Sequence, residues 1–518
     1  MPTTNSDSDE ITSSQKNAED SNFLFKILSK ILPIHSSEIA KFLSITALMF
    51  CILFIQNVIR ATKDSIVNTM IGVESVSFLK VWGVMPAAII FAAIYVKLVN
   101  VFKPETLFYV VISTFIGFFT FFAFIIFPYH ESLHMSKEVA GKIIHSYPHL
   151  KWFILLIANW GFSLFYIIAE LWPNAAYSVL FWQFVNGVTS VDQSKRFYPL
   201  FALFGQTGLF FSGSLLVAQT KIGIYLHNHF GIAPSSKVAS LQFVMSIVIL
   251  LGLASLYFFK VINEKILDIR ANNLVKYKTS KKEKFSVLES FKLAATSKYI
   301  MLIAVMLTCY GLAINLVEGP WKAMVAKAYP NTADNLAFVG SYLRMTGIFT
   351  ICFVLIGANI IKWLGWFSAA IITPSIMFIT GVIFYYSANF HSDFLIGICT
   401  WIGYDPLILA VVFGAIQNVI TKSTKYTLFD STKEMAYVPL DNELKIRGKA
   451  AVDSIGIKLG KSASAFIQQV IFILVPAATF ETISPFLMII FIIVCVIWLY
   501  AVRILGKEYE LLTNKDGK

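Results

Sequence analysis

The sequence predicts an all-α polytopic membrane protein, with twelve transmembrane helices in two six-helix halves. Three observations carry this. Hydrophobic residues make up 57% of the chain and charged residues only 14%, too little polar surface for a soluble protein of 518 residues. The apolar residues gather in runs of about twenty, the length needed to cross a ~30 Å hydrocarbon core. Two stretches of the first half also have counterparts at the same place in the order of runs in the second.

In chain order, residues 1–22 (MPTTNSDSDEITSSQKNAEDSN) are polar, Ser-rich and acidic. They lack the basic and apolar regions of a secretory signal and read as a disordered cytoplasmic tail. FLFKILSKILPI (23–34) follows, a short apolar stretch with two lysines that suits the membrane interface. The first six-helix half occupies 23–260, with runs centred near 50, 88, 116, 162, 208 and 250. A basic cytoplasmic linker spans 261–298. The second half and a short tail fill 299–518, with runs near 308, 350, 377, 408, 466 and 493.

The net charge of +12 is not a nucleic-acid footprint. Lysines and arginines concentrate in the loops after runs 2, 6, 8 and 10 and in the C-terminal tail, with KVINEKILDIRANNLVKYKTSKKEKF (260–285) the richest. That is the positive-inside pattern for twelve helices with both termini cytoplasmic. The five cysteines all fall inside predicted spans and read as small buried hydrophobes, with no disulfide framework.

The internal match is specific in register. CILFIQNVIRATKDSIV (51–67) lies over CYGLAINLVEGPWKAMV (309–325) at an offset of 258, with Cys51 on Cys309, Asn57 on Asn315 and Arg60 on Glu318. RFYPLFALFG (196–205) lies over RGKAAVDSIG (447–456) at an offset of 251. The first pair sits at spans 1 and 7, the second leads into spans 5 and 11. Duplicated six-helix bundles are the layout of major-facilitator-type carriers, with substrate bound between the halves near the midplane.

Charges within the spans mark the candidate site. An ionisable residue at helix-centre depth costs roughly 2.5–3.5 kcal/mol on insertion scales, so it faces a bundle interior or wet cavity. Arg60, Lys63 and Asp64 taken alone also fit interfacial anchors that snorkel. The repeat tips the balance, because Glu318 and Lys322 stand at the end of the corresponding helix, four residues apart and within pairing reach if the helix continues past Pro320. Glu170 lies among apolar residues just before Pro173 and must find a cation or a proton. Of the basic residues between Lys422 and Lys461, many read as loop; Lys449, Lys458 and Lys461 run into span 11. A cavity rich in lysine and arginine suits a polyanion, since phosphates take charge-assisted hydrogen bonds from both. Aromatics nearby offer a stacking face for a planar base. A nucleotide fits this chemistry and an organic phosphate fits it as well.

Two motifs point elsewhere; the first is rejected and the second is kept only as a rival. GIKLGKS (456–462) is one residue short of a phosphate-binding P-loop and has no preceding strand, so its glycines read as a helix-contact pattern. HESLH (130–134) matches a zinc-protease motif in letters but lies in a loop at the end of span 3 without an evident third ligand. No metal, cofactor or protein partner is expected.

IRATKDSIV, IGVESVSFLK (71–80), AELWPNAAYSVLFWQF (169–184), SKRFYPLF (194–201), INLVEGPWK (314–322) and KYTLFDSTKEMAYVPLDNELKIRGKAAVDSIGIKLGKS (425–462) resemble the non-mitochondrial ATP/ADP translocases of obligate intracellular bacteria and plastids. The resemblance runs from about residue 34 to 510. It implies obligate exchange of host ATP for ADP across a bacterial inner membrane, the absence of a transit peptide favouring bacterium over plastid. It implies roles for Lys63, Glu170 and Glu318, and for a lysine of the GKAA…GKS region, carried here as Lys449 and Lys461. Two departures bear on base preference: RATKD has a neutral second position, and Pro173 follows AELW where the family commonly has a small residue. Some members carry guanine (GTP, GDP) or pyrimidine nucleotides, and some import nucleotides with protons. The site expected from all this comprises Arg60, Lys63, Glu170, Glu318, Lys322, Lys449 and Lys461. The carboxylates would pair with lysines in the empty carrier. A proton-coupled organic-phosphate symporter and a membrane metalloprotease are the rival readings.

Overall fold

The computed structural model describes residues 34–267, 296–390, 392–441 and 449–515. The predicted tail, the interfacial stretch before Ile34 and most of the linker lie outside the described residues. The long helices, numbered in chain order, are α1 (Ile39–Met70), α2 (Ser75–Val101), α3 (Pro104–Ile126), α4 (Trp160–Val188), α5 (Val191–Phe230) and α6 (Ser236–Glu264) in the first half. The second half holds α7 (Lys298–Ala328), α8 (Thr332–Val354), α9 (Ile360–Asn389), α10 (Pro406–Ala436), α11 (Lys449–Leu474) and α12 (Phe480–Lys515). No strand occurs among the described residues.

Local chemistry sets the ends. Ser190 opens α5 with a reciprocal capping box to Gln193, and Ser297 and Asn331 cap α7 and α8 through their side chains. α8 and α9 follow one another in a continuous helical path, and a kink falls within the first turns of α9 at Gly365, whose φ of +75° only glycine adopts without strain.

Among the described residues eleven helices are long and apolar enough to cross a membrane, one fewer than the twelve expected. The run near residue 466 falls in α11, whose apolar part, Leu459–Leu474, is shorter. The apolar residues divide between core and lipid face. Phenylalanines fill the first half, with Phe108 stacked on Phe259 and Phe122 on Phe165, each pair at 3.9 Å between centroids. α2 turns Trp82, Ile89 and Ile94 outward, an arrangement that only an apolar solvent makes favourable. Four cysteines are buried as expected; Cys352, in α8, is exposed.

The glycines of GIKLGKS do what a contact pattern predicts. They lie within the helix α11, where a Cβ on Gly460 would collide with the carbonyl of Thr308, and one on Gly311 of α7 with that of Ile457. The helices α7 and α11 therefore touch backbone to backbone.

The halves meet face to face, α5 packing on α8. Because α1 and α7 both begin on the side that carries the linker, heights in the bundle can be compared. Several hydrogen bonds join the halves toward the opposite, far side. They include Thr69 with Thr332 (2.7 Å), Gln219 Nε2 with the Ala333 carbonyl (2.8 Å), the Phe480 amide with Glu74 (3.0 Å) and His149 with the Ile473 carbonyl (2.8 Å).

Candidate functional site

A cavity of about 310 Å³ lies between the halves, walled by α1, α4, α5, α7, α8 and α10. Its charged lining is Arg60 and Asp64 from α1, Glu318 and Lys322 from α7, and Lys422 from α10. Gln56, Asn57, Tyr342 and Tyr426 add polar and aromatic surface.

The charges are wired by two intra-half bridges between helices and one cross-half bridge, with Lys63 and Asp64 paired besides within α1. In the first half Lys63, 3% exposed, joins Glu170 of α4 at 2.9 Å and Asp64 at 2.6 Å. Its ammonium also sits 3.7 Å from the centroid of the Tyr166 ring, so two carboxylates and an aromatic face replace its water. In the second half Glu318 joins Lys422 of α10 at 2.6 Å, and Lys422 stands 5.2 Å from the Tyr342 ring. Helices α1 and α4 of one half correspond to α7 and α10 of the other, so the two bridges are repeat mates with lysine and carboxylate exchanged. The third bridge, Lys322 to Asp64 at 2.9 Å, crosses the interface. Its members are 258 positions apart, the repeat offset itself, and so occupy equivalent places beside the pseudo-two-fold axis.

Breaking either side of such a pair would leave a buried charge without a partner, at a cost of about 3–5 kcal/mol. Arg60 is exposed to the cavity and makes no hydrogen bond or ion pair among the described residues. Lys461 is exposed at mid-height of α11 and lies within electrostatic reach of Arg60 and Glu318.

The predicted residues are thus largely gathered, with corrections. Lys63 and Glu170 pair with one another, but beside the cavity rather than in its described wall. α7 runs unbroken through Pro320, yet Lys322 binds Asp64 across the interface instead of Glu318 four residues before it. Glu318 takes Lys422, a residue the expected site did not include. The side chain of Lys449 and that of Lys458 lie outside the described residues. Asp64 and Lys422 were missing from the expected site. A signal for Asp64 existed, since the repeat alignment puts it directly over Lys322 with opposite charge.

Local backbone geometry helps to aim these groups. A π-helical stretch begins three residues after Glu170, at Pro173–Phe181 in α4. Another begins three residues after Lys422, at Lys425–Phe429 in α10. Such turns insert an extra residue and rotate the remainder of the helix, often at functional positions. The HESLH histidines are engaged with the backbone: His134 Nε2 accepts from the Gly161 amide and His130 Nδ1 pairs with the Phe127 carbonyl, and no cluster of three metal-ligating residues occurs among the described residues.

A polytopic bundle with a charged cavity between repeated halves defines a membrane transporter, and solved structures agree on the fold. A bacterial homologue of the iron transporter ferroportin superposes with a TM-score of 0.55 at 11% identity, over 89% of this chain and 98% of that one. The xylose transporter XylE from E. coli superposes with a TM-score of 0.53 at 10% identity, over 90% and 96%. The chain belongs to the TLC ATP/ADP transporter family, whose profile matches residues 17–509. It is 54% identical over 489 residues to ADP,ATP carrier protein 4 of Rickettsia conorii, covering 94% of this chain and 96% of the relative. ADP,ATP carrier protein 3 of Rickettsia bellii is 44% identical over 499 residues, covering 95% and 98%. The chain is accordingly a multi-pass membrane transporter and not an enzyme.

Proposed function

We propose that the chain is a nucleotide antiporter that brings ATP into a bacterium in exchange for ADP across the inner membrane, with both termini cytoplasmic. The observation that carries this is the wiring of the cavity. Its lysines are held by carboxylates that a polyphosphate can displace, and Arg60 faces the cavity with no acid bound to it among the described residues. The printed names of the relatives, ADP,ATP carrier proteins, support adenylates as the substrate class. With the linker side cytoplasmic, as the basic loops imply, the far-side contacts are the ones that must part for the cavity to open away from the cytoplasm.

In this reading Arg60, Lys63 and Lys461 bind the phosphate tail, assisted by Lys322 and Lys422. Lys449 is an alternative ligand on the same helix as Lys461. Glu170, Glu318 and Asp64 hold the lysines when no nucleotide is bound. Nucleotide competes for Lys322, weakens its bond to Asp64, and so lowers the barrier to opening the far side. An empty carrier keeps that bond and switches poorly, which makes exchange obligatory. Guanine nucleotides would use the same phosphate ligands, so base preference rests on the aromatic part of the wall around Tyr342 and Tyr426.

Uptake of labelled ATP into ADP-loaded proteoliposomes, competed by unlabelled ATP, GTP, CTP and UTP, tests the reading and orders the bases. Lys63→Ala should abolish uptake while the protein still inserts. Normal exchange by that variant would remove Lys63 from the mechanism.

A further inference from the structure

A second cavity, of about 450 Å³, lies wholly within the first half and shares no residue with the wall of the main one. Its lining is drawn from residues 104–108 at the start of α3, 180–188 at the end of α4 and 259–263 at the end of α6. Odd-numbered helices of this half start on the linker side and even-numbered ones end there, so the three helix ends meet at one membrane interface. Glu105, Gln183 and Gly187 are exposed, which opens the cavity to the outside of the bundle. Leu180 lies about two helical turns deeper than Val188, so the cavity reaches roughly 10 Å toward the hydrocarbon. Its inner part is apolar, with Leu180, Phe184 and the stacked rings of Phe108 and Phe259.

The polar groups gather at the mouth. Glu105 stands in the first turn of α3, and among the described residues its carboxylate makes no hydrogen bond or ion pair. A helix N-terminus suits a carboxylate, but it does not account for the apolar cavity beside it. Asn263 Nδ2 donates to the Phe259 carbonyl at 3.1 Å, which leaves its Oδ1 as an acceptor. Gln183 Oε1 accepts from the Tyr95 hydroxyl at 2.9 Å, which leaves its amide nitrogen as a donor. Lys103 and Lys260, next in sequence to the lining residues Pro104 and Phe259, are exposed at the same level. A carboxylate and an amide oxygen therefore stand beside cations and an amide donor, over an apolar slot.

We propose that this cavity is a binding site for a phospholipid with a primary-ammonium headgroup, taken from the linker-side leaflet. One acyl chain fills the slot, the ammonium donates to Glu105 and Asn263 Oδ1, and the phosphate takes Gln183 Nε2 and the flanking lysines. A quaternary choline carries the same charge but has no hydrogen to donate, and a glycerol headgroup leaves the lipid anionic with nothing to pair with Glu105. Bound lipid braces the end of α4, where the Val188 carbonyl accepts from Lys41 of α1. The same helix carries Glu170, the partner of Lys63. The site does not depend on which solute the carrier moves.

The test uses the full-length protein, delipidated in detergent, with thermal shift read on titration with phosphatidylethanolamine, phosphatidylcholine and phosphatidylglycerol of identical acyl chains. Phosphatidylethanolamine should give the largest saturable rise in melting temperature. Glu105→Gln should weaken its apparent affinity by about tenfold, in the range of one charge-assisted hydrogen bond, and bring it level with phosphatidylcholine. Gly187→Leu fills the cavity from a position where a Cβ would meet nothing within 4 Å. It should keep the lipid-free melting temperature and lose the saturable response to all three lipids. Equal responses to phosphatidylethanolamine and phosphatidylcholine in the unmodified protein would overturn the proposal, as would a preference that survives both variants. A response largest with phosphatidylglycerol would overturn it in favour of an anionic-lipid site on the lysines.

Discussion

Glu318 and Lys422 show how a residue-level pair serves two purposes at once. In a membrane interior neither charge is tolerable alone, so the pair stabilises the bundle while storing a lysine for the cargo. Lys422→Ala should lower stability by about 3–5 kcal/mol, because Glu318 remains buried without its cation. Adding Glu318→Gln should recover much of that stability without recovering transport, a non-additivity that a double-mutant cycle in thermal or denaturant unfolding would register. Glu38 gives a residue-scale prediction outside the membrane. Burial pushes its carboxyl upward, but hydrogen bonds from Arg196 and Gln193 and the Arg196 charge outweigh that and bring it from 4.5 to about 2. The Glu38–Arg196 bridge, at 2.7 Å, therefore contributes fully above about pH 4.5, the ordinary value, and is lost as the pH falls through about 2. Melting temperatures of the protein and of Glu38→Gln, compared between pH 6 and pH 3, should converge toward the acid end; parallel curves would count against the bridge.

At the element scale, what the sequence concealed has a common cause. Many of the basic residues from Lys422 onward read as loop, yet the helix α10 runs through TKSTKYTLFDSTKE to Ala436. The reason is that Thr424, Thr427 and Thr432 turn their hydroxyls back onto the carbonyls of Ile420, Ser423 and Leu428. A hydroxyl satisfied by its own helix is no longer polar toward its surroundings. Hydropathy counts the side chain and misses the bond. The small-residue contact of α7 and α11 was legible, since the spacing of Gly456 and Gly460 states it directly. Gly460→Val should force these helices apart, with a loss of about 1–3 kcal/mol or more, visible as a lower melting temperature in detergent. The cross-half partner of Lys322 was hidden for a different reason. An i,i+4 neighbour is the default from spacing, and only three-dimensional proximity of repeat-equivalent positions shows that Asp64 is nearer.

For the whole molecule, the duplicated halves set the terms of movement. Two repeats related by a pseudo-two-fold axis can rock about a site between them, and the bonds that hold the far side are the ones that must break. Thr69 and Thr332 are 2.7 Å apart at that closure. In a background lacking the five native cysteines, Thr69→Cys with Thr332→Cys should form a disulfide that stops exchange, and reductant should restore it. An ATP⁴⁻-for-ADP³⁻ cycle also moves one net charge, worth roughly 2.3 kcal/mol per 100 mV, so imposed potentials should bias the direction of flux. The central claim is exchange that an empty carrier cannot perform. Its most direct test is labelled ATP uptake into two sets of proteoliposomes, one loaded with ADP and one empty. Uptake confined to the loaded set is the predicted result; equal uptake into empty vesicles, and more so under a pH gradient, would contradict obligate exchange and replace it with a proton-coupled importer.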